Sequence, residues 1–334
     1  MIRQQVFGFG AAGFLIGGLL LLGPAALAQD GSKTGAAGGA AAKQAEAVSL
    51  RAKWAKGDVA KFDVVMESRR KSGVEGRDES VQSQRLLQEL QLTRRVLDAN
   101  EQGATLSIVY DRVQMNIFAD RSILKFDSAA PAAEDAGNEL AAMVRPVVGL
   151  PITVKIDASG KVLSIEGNEE PAPKTDQDLQ RASMARSLIG DEIFSRVLAP
   201  LYGLPHAPER GAPGDAWTSE EVNDRPPLGV LTLDARHTLA SVADGVATVT
   251  TTGTVKLTRA VGNMAVKADL TGQEIKGTAL WDTLAGSIRS FDSEQKIVIT
   301  ADDPSGAKRS IESVAKITIS RSADAKPKAE ASKP

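Results

Sequence analysis

The sequence predicts an α+β protein, mostly antiparallel β, built as a curved sheet or two related half-sheets packed on one long and one short amphipathic helix. Three observations predict it. Between residues 49 and 321, apolar and polar residues alternate along runs broken by a turn about every dozen residues, the pattern of strands with one dry face. Turns containing Asp and Gly separate several of these runs and mark hairpins. One stretch departs from the alternation, with apolar residues at threes and fours from about residue 178 to residue 202. A helix there would supply the cover that an apolar sheet face needs.

At the start of the chain, Arg3 precedes an apolar run from Val6 to Leu22, followed by Pro24 and Ala26-Leu27-Ala28. This layout predicts a signal peptide over residues 1–28, with Ala26 and Ala28 as the small residues that signal peptidase accepts. The other reading is an uncut anchor, for which the run lies near the lower length limit. Export places the protein in the periplasm or outside the cell, and the signal, once removed, leaves no stable membrane span. A chain of 334 residues without cysteine is neither a lipoprotein nor held by disulfides, so apolar burial must hold it together. Residues 29–48 read as a disordered Gly/Ala linker and 322–334 as a disordered tail of Ala, Lys and Pro.

The N-terminal sheet region, with helices, covers 49–204. Phe62, Val64 and Met66 alternate with polar neighbours. Residues 81–97 read as strand, with Leu86, Leu90, Leu92 and Val96 on one face, although QRLLQELQLTRR also contains good helix formers. Leu106, Ile108 and Tyr110 follow, and the change of phase to Val113, Met115 and Ile117 predicts a bulge near Arg112. A short helix over Glu139–Val144 stops near Pro146. Residues 152–156 and 162–165 form a hairpin whose turn requires positive φ at Gly160. On the long helix, Met184, Leu188, Phe194, Val197, Leu198 and Leu201 share one side, while Arg181, Arg186, Asp191, Glu192 and Arg196 take the other.

Pro205, Pro208 and Pro213 mark a loop into the C-terminal sheet region, 205–321. Residues 277–282 turn at Leu284-Ala285-Gly286 and return over 287–291. The last strand places Ile311, Ser313, Ala315, Ile317 and Ile319 opposite a wet face of Glu312, Lys316 and Thr318. Trp54-Ala55-Lys56-Gly57-Asp58 before the first sheet region is echoed by Pro213-Gly214-Asp215-Ala216-Trp217 before the second, as an internal duplication would leave.

Composition excludes more activities than it suggests. A net charge of -2 creates no field toward nucleic acid or anionic lipid, and 4% aromatic residues argue against base-stacking platforms. Gly8-Phe9-Gly10-Ala11-Ala12-Gly13 matches the dinucleotide pattern but lies inside the export signal with no strand before it. His206 and His237 lack a second ligand at metal spacing, and on a strand His237 and Asp234 face opposite ways, so neither zinc nor an Asp/His relay is expected. Adjacent acids such as Glu169-Glu170, Glu220-Glu221 and Asp302-Asp303 read as solvated turns rather than a glycosidase pair. No catalytic, cofactor-binding or metal-binding residue is therefore assigned, and no cofactor is expected. The stripe Met184, Leu188, Phe194, Val197, Leu198 and Leu201 is either ordinary core or the wall of a hydrophobic cavity.

The order of WAKGD, the DASGKVLSIEG hairpin, the helix, GDAW and the GTALWDTLAGSIRS hairpin resembles an uncharacterised family of secreted planctomycete proteins, domain of unknown function 6263. That resemblance implies no activity. In outline the layout is also similar to lipoprotein-carrier and mycobacterial lipid-carrier proteins, whose curved sheet wraps helices around a lipid cavity. The expectation is an exported, non-enzymatic envelope protein binding a lipid or other apolar ligand between sheet and helix. The alternative is a structural or interaction module with a filled core that holds an envelope protein, and a hydrolase comes third.

Overall fold

A computed structural model describes residues 46–74, 77–119, 122–167, 188–225, 229–259, 268–302 and 307–322. The alternating runs become long antiparallel strands. They are β1 (Val48–Ser49), β2 (Val59–Val74), β3 (Arg77–Asn100), β4 (Gly103–Ala119), β5 (Ser122–Asp127), β6 (Pro151–Asp157) and β7 (Val162–Glu166), then β8 (Arg210–Gly211), β9 (Ala216–Arg225), β10 (Gly229–Ala243), β11 (Val246–Arg259), β12 (Ala268–Asp282), β13 (Ser287–Asp302) and β14 (Lys308–Arg321). Twelve of them form one sheet in the order β7-β6-β4-β3-β2-β14-β13-β12-β11-β10-β9, with β5 beside β4. The strands β1 and β8 pair separately.

The sheet is thus two meanders placed head to tail, joined where β14 pairs with β2 from Arg309↔Val74 to Arg321↔Phe62. The WAKGD and PGDAW echo has a structural counterpart. Gly57 N–H donates to Val96 O, and Val96 N–H donates to Asp58 O; likewise Gly214 N–H donates to Leu239 O, and Leu239 N–H donates to Asp215 O. Both glycines have left-handed φ, +91° and +99°, so each Gly-Asp pair turns the chain onto the end of its own second strand in the same way.

β3 is strand throughout. Its inner face is Gln88, Leu90, Leu92, Arg94 and Val96, all buried, and tertiary pairing on both sides outweighs the helix propensity of its sequence. The predicted bulge is present, since Gln91 faces Arg112 but Leu92 faces Tyr110. Gly160 turns the β6–β7 hairpin at φ +87°. The short helix α1 spans Glu139–Val144, capped by Asn138 Oδ1, which accepts from Leu140 N and Ala141 N.

The long helix is the point of correction. Residues 178–187 lie outside the described residues, and from Leu188 onward the segment is not one regular amphipathic helix. It is a π-helical turn over Ile193–Val197 followed by a 3-10 turn over Ala199–Leu201. Pro200 explains the break, because it has no N–H to continue the ladder and its ring crowds the preceding turn. Ser195 Oγ donates back to Asp191 O at 2.8 Å, a bond that bends helices. The segment's apolar residues Leu188, Ile189, Ile193, Phe194, Val197, Leu198, Leu201, Tyr202 and Leu204 are buried, while Asp191 and Glu192 are exposed, so it keeps one wet side.

The sheet curls to enclose this insert. Phe194 meets the Tyr110 ring of β4 at 5.7 Å, and Arg196, two residues on, reaches Glu221 of β9 at 3.2 Å. Eight strand steps separate β4 from β9 in the sheet, which in a flat sheet would be about 38 Å. Only a strongly rolled sheet lets neighbouring residues touch both. Two polar residues of β3 clamp the insert: Gln88 Nε2 donates to Leu188 O at 2.8 Å, and Arg94 Nη1 donates to Leu201 O at 2.6 Å. Outside, charged residues such as Glu67, Arg69 and Arg85 or Lys276, Glu294 and Lys316 form solvated ladders, each pair worth at most about 1 kcal/mol.

Candidate functional site: a cleft on the inner face of the sheet

The inner face changes character along the strands. Toward one end, Phe62, Val64, Leu90, Leu92, Tyr110 and Trp281 join the insert in the main apolar core, while Leu231, Leu233, Val255, Ala268, Ile275, Ile297 and Ile299 form a second apolar cluster in the C-terminal meander. Between them lies a belt set by register, in which Trp217, His237, Thr251, Gly277 and Ser293 are successive cross-strand partners from β9 to β13. The adjacent row is Ser219, Ala235, Gly253, Ile275 and Gln295. Gly277 in the first row bares the backbone of the floor, as strand glycines do where something must approach closely.

This belt is the floor of a cleft whose other wall is the end of the insert, Pro200, Gly203, Leu204 and Pro205. Trp217 Nε1 donates to Pro205 O at 2.7 Å and fixes the indole at that wall. The cleft is narrow, about 60 Å³, against roughly 300–1,000 Å³ for sites that swallow a drug-sized ligand. It has room for the end of one alkyl chain or a small ring.

Its polar groups are specific. His237 is buried and stacks on Trp217 with centroids 5.5 Å apart. Its Nε2 lies 2.8 Å from Ser219 Oγ and its Nδ1 2.9 Å from Thr251 Oγ1, so the neutral ring donates through one nitrogen and accepts through the other. Burial, with a lesser contribution from His206, pushes its pKa down to about 4, which leaves it uncharged at neutral pH. A serine beside a histidine resembles a nucleophile and its base, but a threonine hydroxyl stands where a carboxylate would orient the ring, and a base of pKa near 4 is weak at neutral pH. Asp234 points to the opposite face, as strand parity requires, and pairs with Lys256 at 2.6 Å.

Glu221, 1% exposed, receives Arg196 Nε at 3.2 Å and Asn223 Nδ2 at 3.2 Å, tying the edge strand to the insert. Gln295 is 6% exposed, and its Oε1 is buried with no hydrogen-bond partner. Among the described lining residues there is no Lys or Arg.

Of the residues singled out from sequence, Ala26, Ala28 and Met184 lie outside the described residues. Leu188, Phe194, Val197, Leu198 and Leu201 are all buried in the main core against β2, β3 and β4, and the cleft opens beside them at Pro200 and Leu204. The cleft residues Trp217, Ser219, Glu221, His237 and Gln295 were not singled out as a site. β9 hides its inner face from an apolar-alternation reading, because it buries Ser219, Glu221 and Asn223 while Val222 is 44% exposed. The findable signal was parity with His237 on the paired strand. Among the described residues no group of three or more His, Cys, Asp or Glu could hold a metal, and no helix is long and apolar enough to cross a membrane.

Fold and cleft together define a protein of mostly antiparallel β, a rolled sheet around an irregular helical insert. The chain belongs to the family of unknown function DUF6263, whose model matches residues 101–288. No curated protein matches it. Among solved structures it is similar to lipovitellin, in a structure described by its lipid–protein interactions, at 12% identity and TM-score 0.43 over 81% of this chain and 26% of that one. The chain therefore spans about a quarter of the lipovitellin chain. DynF from the dynemicin biosynthesis pathway of Micromonospora chersina (7% identity, TM-score 0.20, 87% of this chain and 92% of that one) and an outer membrane channel from Pseudomonas putida F1 (8%, 0.19, 82% and 98%) are looser still. At such scores none of the three constrains fold or function.

Proposed function

We propose that this protein is an exported, non-enzymatic envelope protein that binds an apolar ligand, a lipid or a smaller molecule, by one end in the cleft between the insert and β9–β13. The observation that carries the reading is the cleft itself, where an otherwise apolar inner face opens onto bare backbone at Gly277 and a buried amide at Gln295. Export rests on the signal-like residues 1–28. The filled core around Phe194 and Leu198 argues that the protein grips a ligand's end rather than enclosing a whole acyl chain.

Native mass spectrometry of protein purified from its own host tests this. Bound apolar molecules that disappear on organic extraction, and that Ala235→Leu excludes by filling the floor, are the expected result. A ligand-free spectrum, together with no mass shift on adding octan-1-ol, contradicts it. The same filled core favours a second reading, a module that holds a partner strand along the edge of β9. In that case substitution of the exposed Val222 on β9 weakens partner capture while Ala235→Leu leaves it intact.

A further inference from the structure

We infer that the cleft selects a ligand with a neutral hydrogen-bonding end, an alcohol or amide on an apolar body, and discriminates against carboxylates and phosphates. This rests on the ligand reading above and names its chemical class. Three observations at the floor carry it. Gln295 is buried with Oε1 unpartnered and lines the cleft, so a group that donates to it recovers a hydrogen bond otherwise missing in an apolar setting. Turned over, the same amide offers an NH2 instead, which suits a hydroxyl or amide that can both give and accept. The second observation is charge. The Glu221 carboxylate belongs to the same lining and already holds Arg196 at 3.2 Å, and no cationic side chain occurs among the described lining residues, so an anionic head would be desolvated with no free counter-ion to meet it. The third is that Ser219 and Thr251 both hydrogen-bond the neutral His237 ring, which donates to one hydroxyl and accepts from the other, so the floor beside Gln295 offers uncharged hydrogen-bonding groups alone.

The test uses the full chain and three probes of equal chain length, octan-1-ol, octanamide and octanoate, titrated at pH 7.5 with binding read by saturation-transfer NMR. The alcohol and amide are expected to bind about tenfold more tightly than octanoate. Gln295→Leu, close in size and free of donors, is expected to reduce alcohol and amide binding by about fivefold or more while leaving binding of n-octane unchanged. Octanoate binding as tightly as octan-1-ol, or Gln295→Leu leaving the alcohol unaffected, overturns the inference while the ligand reading stands. Failure of all the probes, n-octane included, to bind overturns both.

Discussion

Arg94 shows what a single inward polar residue does in this protein. Its guanidinium lies over the rings of Trp54 and Phe62, at 4.7 and 5.2 Å, and donates to Leu201 O. Burial, then the charge of Arg321, lowers its pKa to about 10, so it stays a cation at neutral pH. Replacing it by methionine leaves the Leu201 carbonyl unpaired and removes the ring contacts, with relief of charge burial as a partial offset. Arg94→Met is expected to cost about 1–3 kcal/mol in urea unfolding. His237 gives a pH signature. Its folded pKa is about 4 against the ordinary 6.5 of an imidazole, so the unfolded chain takes up a proton first as the pH falls. The stabilisation is complete above about pH 6.5 and is lost as pH drops toward 4. Wild-type stability should fall by about 2 kcal/mol between pH 7 and pH 5 from this group, and His237→Gln should flatten that slope. Arg94 and its neighbour Gln88 were legible in part, since parity from Leu90 and Leu92 places both inward. Nothing in the pattern said that they would clamp the backbone of the insert.

Among the elements, the hairpins were the most legible because turn chemistry is local. Gly160 and Gly286 stand where Asp and Gly announced them, each at left-handed φ. The insert was less so: its apolar spacing was read as one face of a regular helix, but Pro200 and the change from π to 3-10 turns make it an irregular plug with Asp191 and Glu192 left exposed. β9 was opaque, having no apolar face to find. Docking of insert and hairpin can be tested at Gly160, where a Cβ would lie 2.7 Å from Tyr202 O. Gly160→Ala therefore adds a clash with fixed backbone to left-handed strain. Gly57, at nearly the same φ, has nothing within 4 Å of an added Cβ. Thermal unfolding should show Gly57→Ala costing about 1 kcal/mol and Gly160→Ala at least about 2 kcal/mol. Equal costs would mean that the hairpin and insert do not press together.

For the whole molecule, the sequence offered one curved sheet or two half-sheets, and β14 pairing with β2 resolves the choice into a single sheet of two similar meanders. Alternation could not reveal this, because it specifies which face is dry but not which distant strand is the neighbour. The seam also predicts cooperativity. Ile319, fully buried and opposite Val64, belongs to both halves, so Ile319→Ala should shift one unfolding transition by about 2–5 kcal/mol rather than split it into two. Rolling this sheet around its plug leaves the cleft at the edge of the plugged region, and the binding role depends on that cleft. Backbone amide NMR during titration with octan-1-ol tests this most directly. Shift changes concentrated at Trp217, Ser219, His237, Gly277 and Gln295 are predicted, and changes confined to the β6–β7 hairpin, or none at saturating alcohol, would contradict the account.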